Sequence, residues 1–566
     1  MLAVLVAVTA GCSSNPGTSG PPAGKFVKNP CGADATVQLA VATSTVLDCS
    51  SGGTTATFAG NGASYLVIPE FPTNLVANQP VSYTLETGDL EASLASARRV
   101  AEMRAAPPTA TGTGTLPVLH SRKRQLDFER AIFARPHGAP SALPPRALLS
   151  SPPPLGSTQS FHVLANFNAN TFTTVTARLS FIGTNVLLYV DVNAPSDGFT
   201  PDQLTAFGTL FDQTLYDIDL AAFGQPSDID GNGHVIMLMS PVVNADTPAS
   251  ACASQGFVVG FFDPTDFSSD PNSNHGEIFY SIVPDSAGLA SCTHTVSEVG
   301  FDIPATFLHE LQHLINYSQH VVVNHGSPLS SWLDEGMSIA AEELGSQYYE
   351  AKCPPPACRT DPAQIFPDSA QGFVNGFLFD SYHFALLPDT ASLTLHNDSE
   401  NGFSWRGGDW ALVRYLSDRF GNTFLKQLEL GPADGLQAIS AAGGQPFPSL
   451  FADFSTALYT DSFPGLPRAT APAVDRFVTR NMRQLWARLF ATSGPPDYPL
   501  EMPLQLFALT TDTSTFVMNP GAMSFWRLDT AASDSTVSIR FATPSGNAFS
   551  PALHAQLAIF RLPPGE

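Results

Sequence analysis

The sequence predicts an α+β protein, with strands and helices in a central region and β-rich segments at both ends. Three observations carry this reading. From Phe161 the chain is β-rich, turns helical around Pro201–Leu220 and returns to a strand at His234–Ser240. Beyond residue 300 the apolar residues take helical spacing, with Leu308, Leu311 and Ile315 at i, i+3 and i+7. Short alternating runs recur near both termini, such as Ser64–Ile68 and Val81–Leu85 at one end and Thr536–Arg540 and Gln556–Phe560 at the other.

The chain opens on an apolar run, Met1 to Gly11, that ends in Ala-Gly-Cys12 and is followed by polar Ser13-Ser14-Asn15. This resembles a bacterial lipoprotein signal over 1–11, with Cys12 as the lipid-bearing residue and membrane anchor; an ordinary cleaved signal peptide is the alternative. No basic residue leads the run, so a start upstream of Met1 is expected. Either signal predicts export, to the cell envelope or beyond it. Residues 12–30 read as a Ser/Gly/Pro-rich tether and 31–88 as a small β domain. Residues 89–158 hold nine of the chain's 26 basic residues and end in Pro152-Pro153-Pro154. They read as a linker, or as a propeptide processed around Arg122-Lys123-Arg124. A long central domain over 159–500 follows, then a β-sandwich-like domain over 501–566.

With 566 residues, 43% of them hydrophobic and 13% charged, the chain has the make-up of several globular modules. A net charge of −24 excludes nucleic-acid binding by charge attraction. Setting Cys12 aside leaves six cysteines, an even number that predicts disulfides in an exported protein. Sequential pairing, 31–49, 252–292 and 353–358, is the simplest arrangement.

The chemistry concentrates in His309-Glu310-Leu311-Gln312-His313. Residues four apart share a helix face, so both imidazoles can reach one cation, and Glu310 lies beside it to take a proton from water. This is the HExxH pattern of zinc-dependent hydrolases. Asp302 reads as the N-cap of this helix, with Pro304 in its first turn. Upstream, Gly276–Val283 reads as a strand, either a sheet edge that could pair with an extended peptide or an ordinary core strand. A catalytic zinc needs a third protein ligand and an open position. Ser331–Gly345 reads as a helix capped by Ser331 and Asp334 and stopped at Gly345. Its Glu335 and Glu342 are seven apart on one face, so spacing allows either as the ligand; Glu343 reads as part of a solvated acidic face. Asp228, Asp230 and Asn232 match the first half of a calcium loop, but its twelfth position is Met239, so a full EF-hand is excluded. Ca²⁺ or a plain Asx-type turn both fit there.

His309–Asn316 together with Trp332-Leu333-Asp334-Glu335-Gly336 and its continuation to Glu342 resembles the hyicolysin family of secreted zinc metallopeptidases, and more distantly other gluzincins. Val186–Val192, Phe211–Tyr216 and Phe223–Gly233 add to the likeness, which covers about residues 160–430. The resemblance implies a zincin-like catalytic domain with a mixed sheet, an active-site helix and a mostly helical C-terminal subdomain. It implies Zn²⁺ held by His309, His313 and Glu335, with Glu310 as general base in the hydrolysis of protein or peptide substrates. An oxyanion donor is not assigned by it; Tyr348, Tyr382, His383 and Tyr415 are candidates. The competing expectation is a non-catalytic cell-surface binding protein on the same scaffold, against which Glu310 argues, because structural zinc would not need that carboxylate.

Overall fold

A computed structural model describes residues 28–32, 36–74, 79–88, 116–133, 135, 151–353, 365–395, 402–421, 423–495, 497–509 and 514–564. The signal, Cys12 and most of the tether lie outside these residues. Its mixture of several sheets and many helices is the expected α+β class.

The β-rich ends, separate in sequence, are joined in space. Strands β1 (Lys28–Pro30), β2 (Ser44–Asp48), β3 (Thr55–Ala59), β4 (Ser64–Glu70) and β5 (Val81–Gly88) come from the N-terminal segment. They share two sheets with β12 (Phe507–Ala508), β13 (Thr515–Met518), β14 (Trp526–Asp529), β15 (Thr536–Ala542) and β16 (Gln556–Arg561). The orders are β1-β2-β16-β4-β14-β12 and β13-β5-β15-β3, so strands from the two ends interleave. Tyr65, Val67, Tyr83, Trp526, Ile539 and Ile559 meet in a shared core between the sheets. Each end supplies strands that hydrogen-bond to the other's, as in β16 with β2 and β4 and β15 with β3 and β5. The 31–49 and 252–292 disulfides form as expected. Cys353 is also disulfide-bonded, while Cys358 lies outside the described residues.

The central sheet contains β6 (Thr158–Asn166), β7 (Thr171–Ile182), β8 (Val186–Asp191), β9 (Val235–Met239), β10 (Gly260–Phe262) and β11 (Ile278–Ser281). Its order is β10-β11-β9-β8-β7-β6. β8, β9 and β11 run parallel, and β10 runs antiparallel to β11. Every residue of β9 is buried, which its unbroken Val-Ile-Met-Leu-Met run requires. The strand read from Gly276–Val283 is therefore interior. Its neighbour β10 forms the edge, although its three residues gave no strand signal in the sequence.

Five helices complete the frame: α1 (Leu116–Phe133), α2 (Val296–Tyr317), α3 (Ser331–Lys352), α4 (Gln371–Leu386) and α5 (Gly402–Phe420). α2 begins earlier than Asp302, because Thr295 and Glu298 form a complete capping box there. Pro304 thus lies inside the helix rather than in its first turn. α3 passes through Gly345, where a Cβ would lie 2.6 Å from the Phe373 ring and 2.7 Å from Leu308. That glycine allows close packing and stops nothing. Its N-cap is Ser330, which makes no side-chain capping bond, so the Ser331–Asp334 cap is also corrected. Among the described residues no helix is long and apolar enough to cross a membrane.

Candidate metal centre

α2 presents His309 and His313 on one face, as their spacing requires, and α3 brings Glu335 to the same point. The ring Nε2 atoms of His309 and His313 lie 3.1 Å apart. Glu335 reaches both, with Oε2 at 3.8 Å from His309 Nε2 and Oε1 at 3.7 Å from His313 Nε2. A fourth residue joins them. Glu129, from α1, places Oε1 at 3.6 Å from His309 Nε2. One ligand atom from each of the four lies within 4.8 Å of every other, and all four residues are buried.

Each ring is fixed from behind by a carboxylate. His309 Nδ1 lies 2.8 Å from Glu342 Oε1, and His313 Nδ1 lies 2.8 Å from Asp334 Oδ2. With Nδ1–H donated to a carboxylate, each Nε2 turns a lone pair toward the shared centre. Two such lone pairs 3.1 Å apart repel unless a cation or proton lies between them. Two imidazoles on one tetrahedral zinc, at about 2.0–2.1 Å each, would stand roughly 3.3 Å apart. Glu129 Oε2 and Glu335 Oε2 are buried and accept no hydrogen bond. Two imidazoles, an orphaned carboxylate oxygen and carboxylate-backed ring tautomers are the donor set that zinc takes. The residues fit the ion.

Glu310 stands beside this cluster. Its Oε2 accepts the N–H of Phe262 on the edge strand at 2.9 Å, and its Oε1 accepts from Gln125 Nε2 at 3.2 Å. Burial, with the nearby Glu335 charge, pushes its carboxyl up to about 7, against the opposing pull of His313 and the Phe262 N–H. Burial also raises Glu129, helped by Glu335 and Glu310 and opposed by Arg406. For His313 burial works downward, but Asp334, Glu335 and Glu310 outweigh it and raise the ring to about 10. All three shifts are upward and reflect a surplus of carboxylates in a site shut from water, which protons or a cation must neutralise. Arg406 on α5 adds positive charge, with Nη2 at 3.4 Å from Glu335 Oε2.

Of the residues weighed in the sequence, His309, Glu310, His313 and Glu335 meet here, and Glu342 sits behind His309. The oxyanion candidates are occupied elsewhere or exposed. Tyr382 donates to Leu500 O at 2.6 Å, Tyr415 donates to Val474 O at 2.9 Å and His383 Nδ1 lies 2.8 Å from Phe379 O. Tyr348 bonds Lys352 on an exposed turn of α3. Glu343, read as solvated, is fully buried and held by Arg480 Nε at 2.5 Å and Trp410 Nε1 at 3.0 Å. Glu129, Gln125, Asp334 as an orienting group and Arg406 were missed in the sequence. A signal for α1 exists: residues 118–135 run without glycine or proline between Pro117 and Pro136.

A neutral metalloprotease, ShpI of Staphylococcus hyicus, is 28% identical to this chain over 192 residues, which is 34% of this chain and 40% of ShpI. The aligned part is thus less than half of that relative's length. No protein-family model matches the chain. In this chain Glu129, His309, His313 and Glu335 form a buried group that could hold a metal ion.

A second acidic group lies at the end of β9. Carboxylate oxygens of Asp228, Asp230 and Glu277 come within 4.8 Å of one another. Glu277 is buried, its Oε2 lacks a hydrogen-bond partner, and burial raises its carboxyl to about 8. Asn232 turns its amide oxygen to the His234 N–H at 2.6 Å instead, forming the local turn.

Proposed function

We propose that this chain is an exported zinc endopeptidase of the hyicolysin type, with a zincin-like catalytic domain over about residues 159–500. The observation that carries the reading is the convergence of both Nε2 atoms and the Glu335 carboxylate on one point, with Glu310 adjoining. His309, His313 and Glu335 would hold the ion, which supplies Lewis-acid polarisation of the scissile carbonyl and acidification of water. Glu310 would take a proton from water and return it to the departing amine. Its raised affinity for a proton, from burial first, suits a group that must both accept and return one. Asp334 and Glu342 hold the ring tautomers. The edge strand β10 offers backbone groups along which an extended peptide can lie. Lipid attachment at Cys12 would keep the enzyme on the cell envelope.

Metal analysis and casein digestion with wild type and Glu310→Ala test this. One zinc per chain in both proteins, with digestion reduced at least about a thousandfold in the variant, is expected for loss of both proton transfers. Equal and measurable digestion by the two proteins, or no bound zinc in either, overturns the mechanism.

For the second group, Ca²⁺ between Asp228, Asp230 and Glu277 is proposed on the buried, unpartnered Glu277 oxygen. Calcium chelation should then lower the melting temperature reversibly in wild type and leave Glu277→Gln unmoved. An unchanged melting temperature in wild type dismisses the ion.

A further inference from the structure

The segment between the N-terminal sandwich strands and the central sheet does more than connect them. Its helix α1 lies across the cleft in front of the metal centre. Glu129 is 2% exposed and belongs to the four-residue ligand cluster, while its Oε2 has no hydrogen-bond partner. One turn earlier, Gln125 treats the edge strand as another peptide would. Its Oε1 accepts the Val259 N–H at 3.2 Å, and its Nε2 donates to Gly260 O at 2.7 Å. The same Nε2 reaches Glu129 Oε1 at 2.9 Å and the Glu310 carboxylate at 3.2 Å. Gly260 O of the edge strand, the Val259 N–H just before it and the candidate base are thus all engaged from α1.

The helix is fastened by further contacts. Arg124 pairs with Asp246 at 2.6 Å, with both side chains largely buried. Phe128 packs on Phe261 of the edge strand at 4.8 Å between ring centres, and Phe133 packs against the His313 ring at 5.3 Å. Arg130 stacks over Trp405 at 4.8 Å. Beside α1 a cavity of about 280 Å³ remains, bordered by Glu129, His309, Thr306, Glu342 and Arg406.

We infer that α1 is a built-in occupant of the substrate cleft: Glu129 takes the fourth metal position, and the Gln125 carboxamide stands where a substrate peptide group pairs with β10. The inference rests on the zinc-peptidase reading above. A catalytic zinc needs that fourth position for water. With a protein carboxylate there and the edge strand capped, the full chain is latent, and activity requires α1 to leave.

The fold also limits how it can leave. Arg122-Lys123-Arg124 lies within the helix, and Arg124 is ion-paired, so it is not the extended segment that a processing protease cuts. Losing the whole N-terminal portion would strip β1–β5 from sheets that they share with β12–β16. Release therefore involves α1 itself, not removal of the sandwich strands.

Three full-length variants test the inference: Glu129→Ala, Glu129→Gln and Asp246→Ala, each checked for wild-type circular dichroism. Zinc affinity is measured by chelator competition and hydrolysis on casein. Glu129→Ala should lower zinc affinity about tenfold or more while raising hydrolysis about tenfold. Glu129→Gln keeps the volume and should follow it in direction. Asp246→Ala loosens the helix from the cleft side and should raise hydrolysis with its metal ligands intact. If all three match wild type in zinc affinity and hydrolysis, α1 is not an occupant, and the peptidase reading stands. If the proteins bind zinc but none digests casein, the affinity of Glu129→Ala alone decides, and an unchanged value overturns the inference. No stoichiometric zinc in any of them removes the peptidase reading itself.

Discussion

At the residue scale, His309 and His313 depend on the carboxylates behind them. Asp334 receives the His313 Nδ1–H at 2.8 Å and holds the ring so that Nε2 faces Glu335. Asp334→Asn keeps the size but loses the charge that makes the imidazole a better donor to a metal. Zinc affinity should fall about 10- to 100-fold, with unchanged circular dichroism and one zinc still bound at saturation. Equal affinity in chelator competition would remove Asp334 from the centre. Spacing within one helix was enough to read His309, Glu310 and His313. The choice between Glu335 and Glu342 was harder, because both lie on one face. Seven residues span about 10.5 Å of helix, so the two carboxylates cannot serve one ion in the same way. Only the crossing of α3 over α2 decides that Glu335 faces the rings and Glu342 backs one of them. Glu129 could not be read at all as a ligand. It is separated from His309 by 180 residues, and nothing local in a basic, proline-flanked segment tells what its helix packs against.

Elements here meet at distances that particular glycines permit. Gly407 in α5 faces α4 so closely that a Cβ would lie 2.0 Å from the Asp380 carbonyl oxygen. No rotamer relieves a backbone contact, so Gly407→Ala must push α5 away from α4. A loss of about 1–3 kcal/mol, or more, is expected, although alanine is the better helix former. Arg406 is the preceding residue and touches Glu335, so the same shift should also weaken zinc binding. Thermal unfolding and zinc competition on the variant check both, and a stabilised variant would contradict the packing argument. Adjacent Gly407 and Gly408 disfavour a helix interior by intrinsic propensity, yet α5 runs through both. Tertiary packing reverses that preference. The start of α2 shows the same limit from the other side: Asp302 and Pro304 form a sound local start signal, and the capping box at Thr295 lies about two turns earlier.

For the molecule as a whole, alternation revealed the strands at each end but not their partners. A period of two tells which face is buried and is silent about whether a strand pairs with one nine residues away or, like β15 with β3, with one more than 470 residues away. The closed sandwich is also tied to the helices through one buried carboxylate. Glu70 on β4 accepts from Gln556 Nε2 on β16 at 2.7 Å and from the Ser455 hydroxyl on the helix Phe447–Thr460. Burial raises its carboxyl to about 8, with a smaller push from Asp453 and partial relief from the two hydrogen bonds. The folded state therefore holds a proton that the unfolded chain releases near its ordinary value of 4.5. Stability linked to Glu70 is fully present below that value and is lost as pH rises toward 8, by an amount on the order of a few kcal/mol. Glu70→Gln cannot ionise and keeps a carbonyl acceptor for Gln556 Nε2 and an amide donor for the Ser455 hydroxyl. Its melting temperature should therefore gain on wild type as pH rises from 5 to 8. The difference between the two proteins isolates Glu70, because Glu129 and Glu310 titrate in both. A melting-temperature difference that stays constant over that range would show that Glu70 is not the group that couples sandwich stability to pH.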